Sequence, residues 1–268
     1  MSFSESARAA AVTALRAAGC VFAEDEAELI LAAARTPREL TALVRRRASG
    51  LPLEQVLGWA EFHGLRIAVE PGVFVPRRRT ELLVDQALAQ VPAASLVVDL
   101  CCGSGAVGAA LAAALGPVEL HAADIDPVAV RCARRNVAFA GGRVHTGDLF
   151  EALPAGLRGR VDILAANVPY VPTHEVALLP PEARDHEPTA ALDGGADGLD
   201  VLRRVTAEAP QWLAPGGCLL VETSERQAPA AVEAFAAAGL APRLAVSHEL
   251  YANVVVGTRR RAPGETPT

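Results

Sequence analysis

Lysine is absent from this 268-residue chain, and all 25 of its Lys+Arg cations are arginine. That absence excludes a P-loop, whose G-K-[ST] signature needs a lysine to reach the phosphates. Asparagine is confined to Asn136, Asn167 and Asn253 and tyrosine to Tyr170 and Tyr251, while 55 residues are alanine, far above ordinary usage. The scarce types share AT-rich codons, so this is the bias of GC-rich coding DNA. Alanine and arginine are therefore weak clues here, and a scarce residue in a marked place is a strong one. The five cysteines, Cys20, Cys101, Cys102, Cys132 and Cys218, are odd in number and show no C-x-x-C spacing. They read as free thiols, not as a disulfide framework. No stretch of about 18 uninterrupted apolar residues occurs, so no transmembrane helix and no membrane partner is expected. The N-terminus has no basic region ahead of an apolar run, so it does not read as a secretory signal, and the expected location is cytoplasmic. A net charge of −6 argues against a bulk polyanion binder and makes nucleic acid a poor expectation as partner.

What is present is a folded composition, 51% hydrophobic and 21% charged, at a length that suits one large domain with a small appendage. Residues 1–50 read as a small helical domain. Apolar positions recur at helical spacing through Ala10, Ala14, Ala17 and Ala18, then through Ala27, Ile30, Leu31 and Ala34. Thr36-Pro37-Arg38-Glu39 predicts a capped third helix with proline in its first turn. Arg45, Arg46 and Arg47 then read as a solvated helix end that complements the macrodipole. Residues 51–78 read as a linker, with a β-hairpin where apolar and polar residues alternate around a glycine at 61–70. Residues 79–260 alternate strands with helices, which predicts an α/β fold: a mostly parallel sheet covered on both faces. Strands are expected at 95–99, 119–124, 143–146, 161–166, 218–223, 243–247 and 253–259, with 167–198 irregular. Residues 261–268 are expected to form a disordered tail.

Four motifs fall at the C-terminal ends of successive strands, the edge where open α/β sheets bind ligands. Asp99-Leu-Cys-Cys-Gly-Ser-Gly105 follows a strand and opens a helix, so Gly103 and Gly105 allow a ligand close to the backbone and to free N–H groups. Asp124, about 20 residues further on, is placed to accept from both hydroxyls of a ribose, leaving Asp126 to cap the next helix. Gly147-Asp148-Leu-Phe150 offers a carboxylate to an adenine amine, with Leu149 or Phe150 against the ring. Asn167-Val-Pro-Tyr170 concentrates one of three asparagines and one of two tyrosines in four residues. Pro169 pushes Val168 towards an extended conformation, so the turn presents the Asn167 side-chain oxygen and the Val168 carbonyl together as acceptors.

In this order, the four motifs resemble class I S-adenosylmethionine-dependent methyltransferases. The chain is more closely similar to the PrmC/HemK family of protein-glutamine N5-methyltransferases. The stretches Leu57-Gly-Trp-Ala-Glu-Phe-His-Gly-Leu65, Phe74-Val-Pro-Arg-Arg-Arg-Thr-Glu81 and His186-Glu-Pro-Thr-Ala-Ala-Leu-Asp-Gly-Gly-Ala-Asp-Gly198 carry the closer likeness. The resemblance implies a Rossmann-like seven-stranded sheet with its last strand antiparallel, preceded by a helical substrate-recognition domain. It implies a S-adenosyl-L-methionine site at Asp99, Cys101, Gly103, Gly105, Asp124, Ile125, Asp148, Leu149 and Asn167, with S-adenosyl-L-homocysteine as product. Asn167, Val168, Pro169 and Tyr170 would be catalytic and, with Glu187 and Pro188, would hold a glutamine of a protein such as a peptide chain release factor. No metal site is expected, since no histidine has ligand spacing with cysteine or acid.

Three positions depart from the family pattern. Val168 replaces a proline, Arg78 stands where the family has proline, and Cys101 stands at the first glycine of the cofactor turn. Together they mark a divergent paralogue. The alternatives that share these motifs are an N6-adenine methyltransferase using Arg77–Arg79 as phosphate contacts, a small-molecule N-methyltransferase with the N-terminal helices as a lid, and a catalytically silent cofactor-binding module.

Overall fold

The computed structural model describes residues 3–261. All of the expected tail except Arg261 lies outside the described residues. Helices α1 (Glu5–Ala17), α2 (Ala23–Ala33) and α3 (Pro37–Ala48) form the N-terminal unit. Thr36 accepts from the Glu39 amide at 3.1 Å, and Pro37 occupies the first turn, as the sequence predicts. The buried stripe of α1 is Ala11 and Leu15, which pack on Ala27, Ile30 and Leu40. Ala10, Ala14, Ala17 and Ala18 are exposed. An alanine-rich helix has little contrast between faces, so its period is readable but its phase is not. Arg47 is a second correction. It is buried, with Nε donating to Glu26 at 2.5 Å and Nη2 paired with Glu182 at 2.7 Å, whereas Arg45 of the same turn is exposed.

The linker opens with a short helix, α4 (Leu53–Leu57), which the hairpin pattern did not predict. The hairpin follows as β1 (Trp59–Phe62) and β2 (Leu65–Ala68), turning at His63-Gly64 with both φ positive. Asn136 clamps it: its side chain accepts from the Ala68 amide at 2.8 Å and donates to the carbonyls of Ala68 and Ser104 at 2.9 and 2.8 Å.

The main sheet comprises β3 (Leu96–Leu100), β4 (Glu119–Asp124), β5 (Arg143–Thr146), β6 (Val161–Ala166), β7 (Leu213–Thr223), β8 (Ala241–Ser247) and β9 (Ala252–Thr258). Their spatial order is β5-β4-β3-β6-β7-β9-β8. β3 to β7 run parallel, and β9 is antiparallel to both of its neighbours. Every residue of β3 is buried, as expected for a parallel strand covered on both faces. Alternation assigns the faces: Val97 packs beneath α5 (Glu81–Gln90), α6 (Ala106–Leu115) and α7 (Pro127–Asn136), while Leu96, Val98 and Leu100 pack towards the helices at 200–212 and 228–237.

The stretch expected to be irregular contains α8 (Pro181–His186) between two short 3-10 turns. Helix α9 (Asp200–Trp212) continues through Pro210. Trp212, 1% exposed and stacked on Phe150 at 5.4 Å, holds that last turn against the sheet. Helix α10 (Ala228–Ala237) completes the layer. No helix among the described residues is long and apolar enough to cross a membrane.

Candidate active site

A cavity of about 2050 Å³ runs along the C-terminal ends of the parallel strands. Its first wall is the turn between β3 and α6. Gly105 caps α6 with φ 76°, and a Cβ there would lie 3.0 Å from that of Ala133. Glycine is thus demanded by packing on α7, and Gly105 does not itself line the cavity. Gly103 does, and its amide donates to Asp124 Oδ2 at 2.8 Å while the Asp126 amide donates to Oδ1 at 2.9 Å. Each Asp124 oxygen therefore keeps free lone-pair capacity on its cavity side. Burial raises the Asp124 carboxyl above the usual carboxylate range. Asp126 caps α7, accepting from Val128 at 2.8 Å, as expected. Behind the turn, Asp99 accepts from the Gly108 amide at 2.9 Å, and burial, aided by the charge of Asp124, pushes its carboxyl up to about 8. Cys101 holds φ 52°, the left-handed region natural to the glycine it replaces.

The far end of the cavity separates two residues that the sequence left interchangeable. Leu149, at φ 46°, lines the cavity, while Phe150 turns into the core against Trp212. Asp148 also faces the cavity, but it is paired with Arg204 of α9 at 2.7 Å. Ile125 lies beside them, 59% exposed.

The acceptor wall begins where β6 ends. Asn167, Val168, Pro169 and Tyr170 all line the cavity. The segment that follows α8 buttresses this turn. The Val171 amide donates to Leu192 O at 2.9 Å, Gly194 donates back to Val171 O at 2.8 Å, and Gln227 Nε2 donates to Tyr170 O at 2.9 Å. Gly198 sits at φ 79° with its Cβ position 2.3 Å from Tyr170 O, so any side chain there would displace the turn. Behind the turn stands Glu222 at the end of β7, 2% exposed. It accepts from Arg79 Nε at 2.9 Å, the Thr80 hydroxyl at 2.5 Å and the Tyr170 hydroxyl at 3.1 Å. Burial, followed by the charge of Glu222, pushes the Tyr170 phenol above its usual range.

Two expectations change here. Glu187, expected to touch substrate, is turned away from the cavity: it accepts from Arg77 at 2.6 Å and from the Val75 amide at 3.2 Å. Pro188 does line the cavity. Arg77 and Arg79 face the cavity, each engaged by a buried carboxylate, whereas Arg78 does not line it. Thr80, Arg204 and Glu222 were not singled out in the sequence. Glu222 had a readable signal, since a carboxylate ends an otherwise apolar strand at the edge where the other site residues gather.

Residues 64–178 match the Methyltransferase small domain family. Over 208 residues, 76% of this chain and 72% of the relative, the sequence is 43% identical to a release factor glutamine methyltransferase of Geobacter sulfurreducens. The chain belongs to the release factor glutamine methyltransferase family. It is a methyltransferase by that membership, and the family resemblance carried by the four motifs holds. Within the same range of similarity, it is 36% identical to a 4-amino-L-phenylalanine/4-methylamino-L-phenylalanine methyltransferase of Streptomyces pristinaespiralis, over 84% of this chain and 78% of that protein. Among solved structures, a methyltransferase from Pyrococcus furiosus shares the fold, with a TM-score of 0.54 at 17% identity over 74% of this chain and 90% of that one. The expected seven-stranded Rossmann-like architecture is thus the observed one.

Proposed function

We propose that the protein methylates the side-chain amide nitrogen of a glutamine in a protein substrate, a peptide chain release factor, with S-adenosyl-L-methionine as donor. The observation that carries this reading is the acceptor pair at Asn167 and Val168, lining the same cavity as the carboxylates of Asp99, Asp124 and Asp148. Those carboxylates suit a ligand whose polar groups are two ribose hydroxyls, an adenine amine and two positive centres. Asp124 would hold the hydroxyls, Asp148 the amine, with Leu149 and Ile125 against the ring and Gly103 beside the chain. When bound, this cofactor supplies a methyl group on a positively charged sulfur.

An amide nitrogen is a poor nucleophile because its lone pair is delocalised into the carbonyl. Two N–H groups donated to Asn167 and to the Val168 carbonyl leave the remaining face of the nitrogen turned towards the methyl donor. Such positioning supplies up to about 7–11 kcal/mol in the best intramolecular cases. As the nitrogen gains positive character, the hydrogen bonds its N–H groups donate strengthen, so the acceptors favour the transition state over the ground state.

One observation favours a second reading. The relative that methylates 4-amino-L-phenylalanine is matched over 78% of its length, and Val168 replaces the family proline. An aromatic primary amine also presents two N–H groups and a delocalised lone pair. The deciding experiment supplies methyl-labelled cofactor with purified release factors, with 4-amino-L-phenylalanine, and with nucleic acid. Label on a release-factor glutamine supports the main reading, label on the amino acid supports the second, and label in nucleic acid overturns both.

A further inference from the structure

The carboxylate behind the acceptor turn uses both of its oxygens. Oε1 of Glu222 accepts from Arg79 Nε at 2.9 Å and from the Tyr170 hydroxyl at 3.1 Å, and Oε2 accepts from the Thr80 hydroxyl at 2.5 Å. Thr80 is itself only 2% exposed. A hydroxyl has one hydrogen. Thr80 gives it to Glu222, so towards Asn167, at 3.4 Å, the Thr80 oxygen acts as an acceptor. The end of the Asn167 amide that faces Thr80 is therefore its NH2. Which way an asparagine amide points is settled by such a network, and here the network ends on a carboxylate that cannot reverse its role. Asn167 Oδ1 takes no hydrogen bond among the described residues, and Asn167 lines the cavity.

We infer that Glu222 is a positioning residue for methyl transfer. Through the Thr80 hydroxyl it sets which end of the Asn167 amide meets the acceptor nitrogen, and through the Tyr170 hydroxyl it holds the other end of the same turn. The inference rests on reading Asn167 as an acceptor for a substrate N–H, since only then does the amide's direction matter. A neutral carboxamide at position 222 offers Thr80 either a donor or an acceptor. The Thr80 hydrogen is then free to turn, and the Asn167 amide is free to flip with it.

The scarcity of asparagine makes the amide directly observable. Labelling asparagine side chains with ¹⁵N gives one NH2 pair each for Asn136, Asn167 and Asn253, and Asn167→Asp assigns the middle one. The Asn167 pair is expected to be protected from solvent exchange in the parent protein, exposed in Thr80→Val, and protected again in Thr80→Ser. Asn136, donating to Ala68 and Ser104 carbonyls, is the internal control for an intact fold.

Turnover follows the same order. In Thr80→Val and Glu222→Gln, kcat falls by about 10²-fold, as for a misplaced contact group. The KM and the dissociation constant for S-adenosyl-L-homocysteine move by less than about threefold. Thr80→Ser recovers most of the loss seen in Thr80→Val. Equal protection of the Asn167 pair in the parent protein and Thr80→Val overturns the relay, as does an unchanged kcat in Thr80→Val. If the parent protein methylates neither a release factor nor an aromatic amine, the functional reading fails, while the exchange measurement still decides the direction of the amide.

Discussion

Arg204 donates to Asp148 at 2.7 Å, so the carboxylate assigned to the adenine amine already carries a cationic partner. With side chains 51% and 39% exposed, the pair is screened by solvent and contributes at most about 1 kcal/mol. Arg204→Ala is expected to shift the dissociation constant for S-adenosyl-L-homocysteine by less than about fivefold. Asp148→Ala removes an acceptor and weakens binding by about tenfold or more. Calorimetric titration of both variants separates the roles. An equal loss in Arg204→Ala would make the guanidinium part of the binding face.

Asp99 gives the protein two opposed pH dependences. Its carboxyl is pushed up to about 8 by burial, so the folded state holds the proton more tightly than the unfolded chain does. Its stabilising contribution is complete below the unfolded value near 3.9 and is lost as pH rises to about 8. A positively charged cofactor favours the ionised form, so binding releases this proton. Cofactor affinity is expected to rise between pH 6 and 8, by up to about tenfold per unit. Asp99→Asn flattens that profile, and an unchanged slope in the variant would remove Asp99 from the linkage.

Cys101 occupies the left-handed region with φ 52°, at a cost of about 1–2 kcal/mol for a residue with a Cβ. Cys101→Gly removes that cost but adds chain entropy to the unfolded state. The net gain is expected to be a melting temperature higher by about 2 °C, read by calorimetry. A lower melting temperature would mean that the thiol's packing outweighs the strain.

His145 contributes to the response to acid. Burial, followed by the charges of His121, Arg143 and Arg134, holds its imidazole below the ordinary histidine range. Its ring is nearly coplanar with that of His121, with their ring nitrogens 2.9 Å apart. The folded state keeps this ring neutral. Its contribution is therefore full above the unfolded value near 6.5 and is lost as pH falls through the lowered folded value. Denaturant titrations at pH 5 and 7 should show a smaller difference for His145→Gln than for the parent protein.

The parallel strands at 119–124, 143–146 and 161–166 were readable to the residue because each lies between helix-ending or turn residues and the next site motif. Elsewhere the sequence carried the element but hid its surroundings. The helical period of α1 was clear, yet alanine on every side concealed the buried face. Arg47 and Glu187 looked like solvent and substrate contacts, because the partners that claim them, Glu26, Glu182 and Arg77, lie 21 or more residues away in the chain. The acceptor turn was recognisable from local chemistry alone. For Glu222 the place was readable, a carboxylate closing an apolar strand, but the role was not, since its meaning comes from Thr80 across 142 positions.

The ion pair between Arg47 and Glu182, with the Gln55 side chain reaching the Val73 and His186 carbonyls at 3.1 and 3.4 Å, ties the N-terminal helices to the segment leading into the acceptor wall. They are not hung on a free hinge. A partner gripped by those helices would be presented at a constant offset from Asn167, and the two parts would then work as a ruler. Selection would depend on the span between a partner's docking face and its methylatable nitrogen. A nitrogen of the right chemistry at the wrong span would be left unmodified.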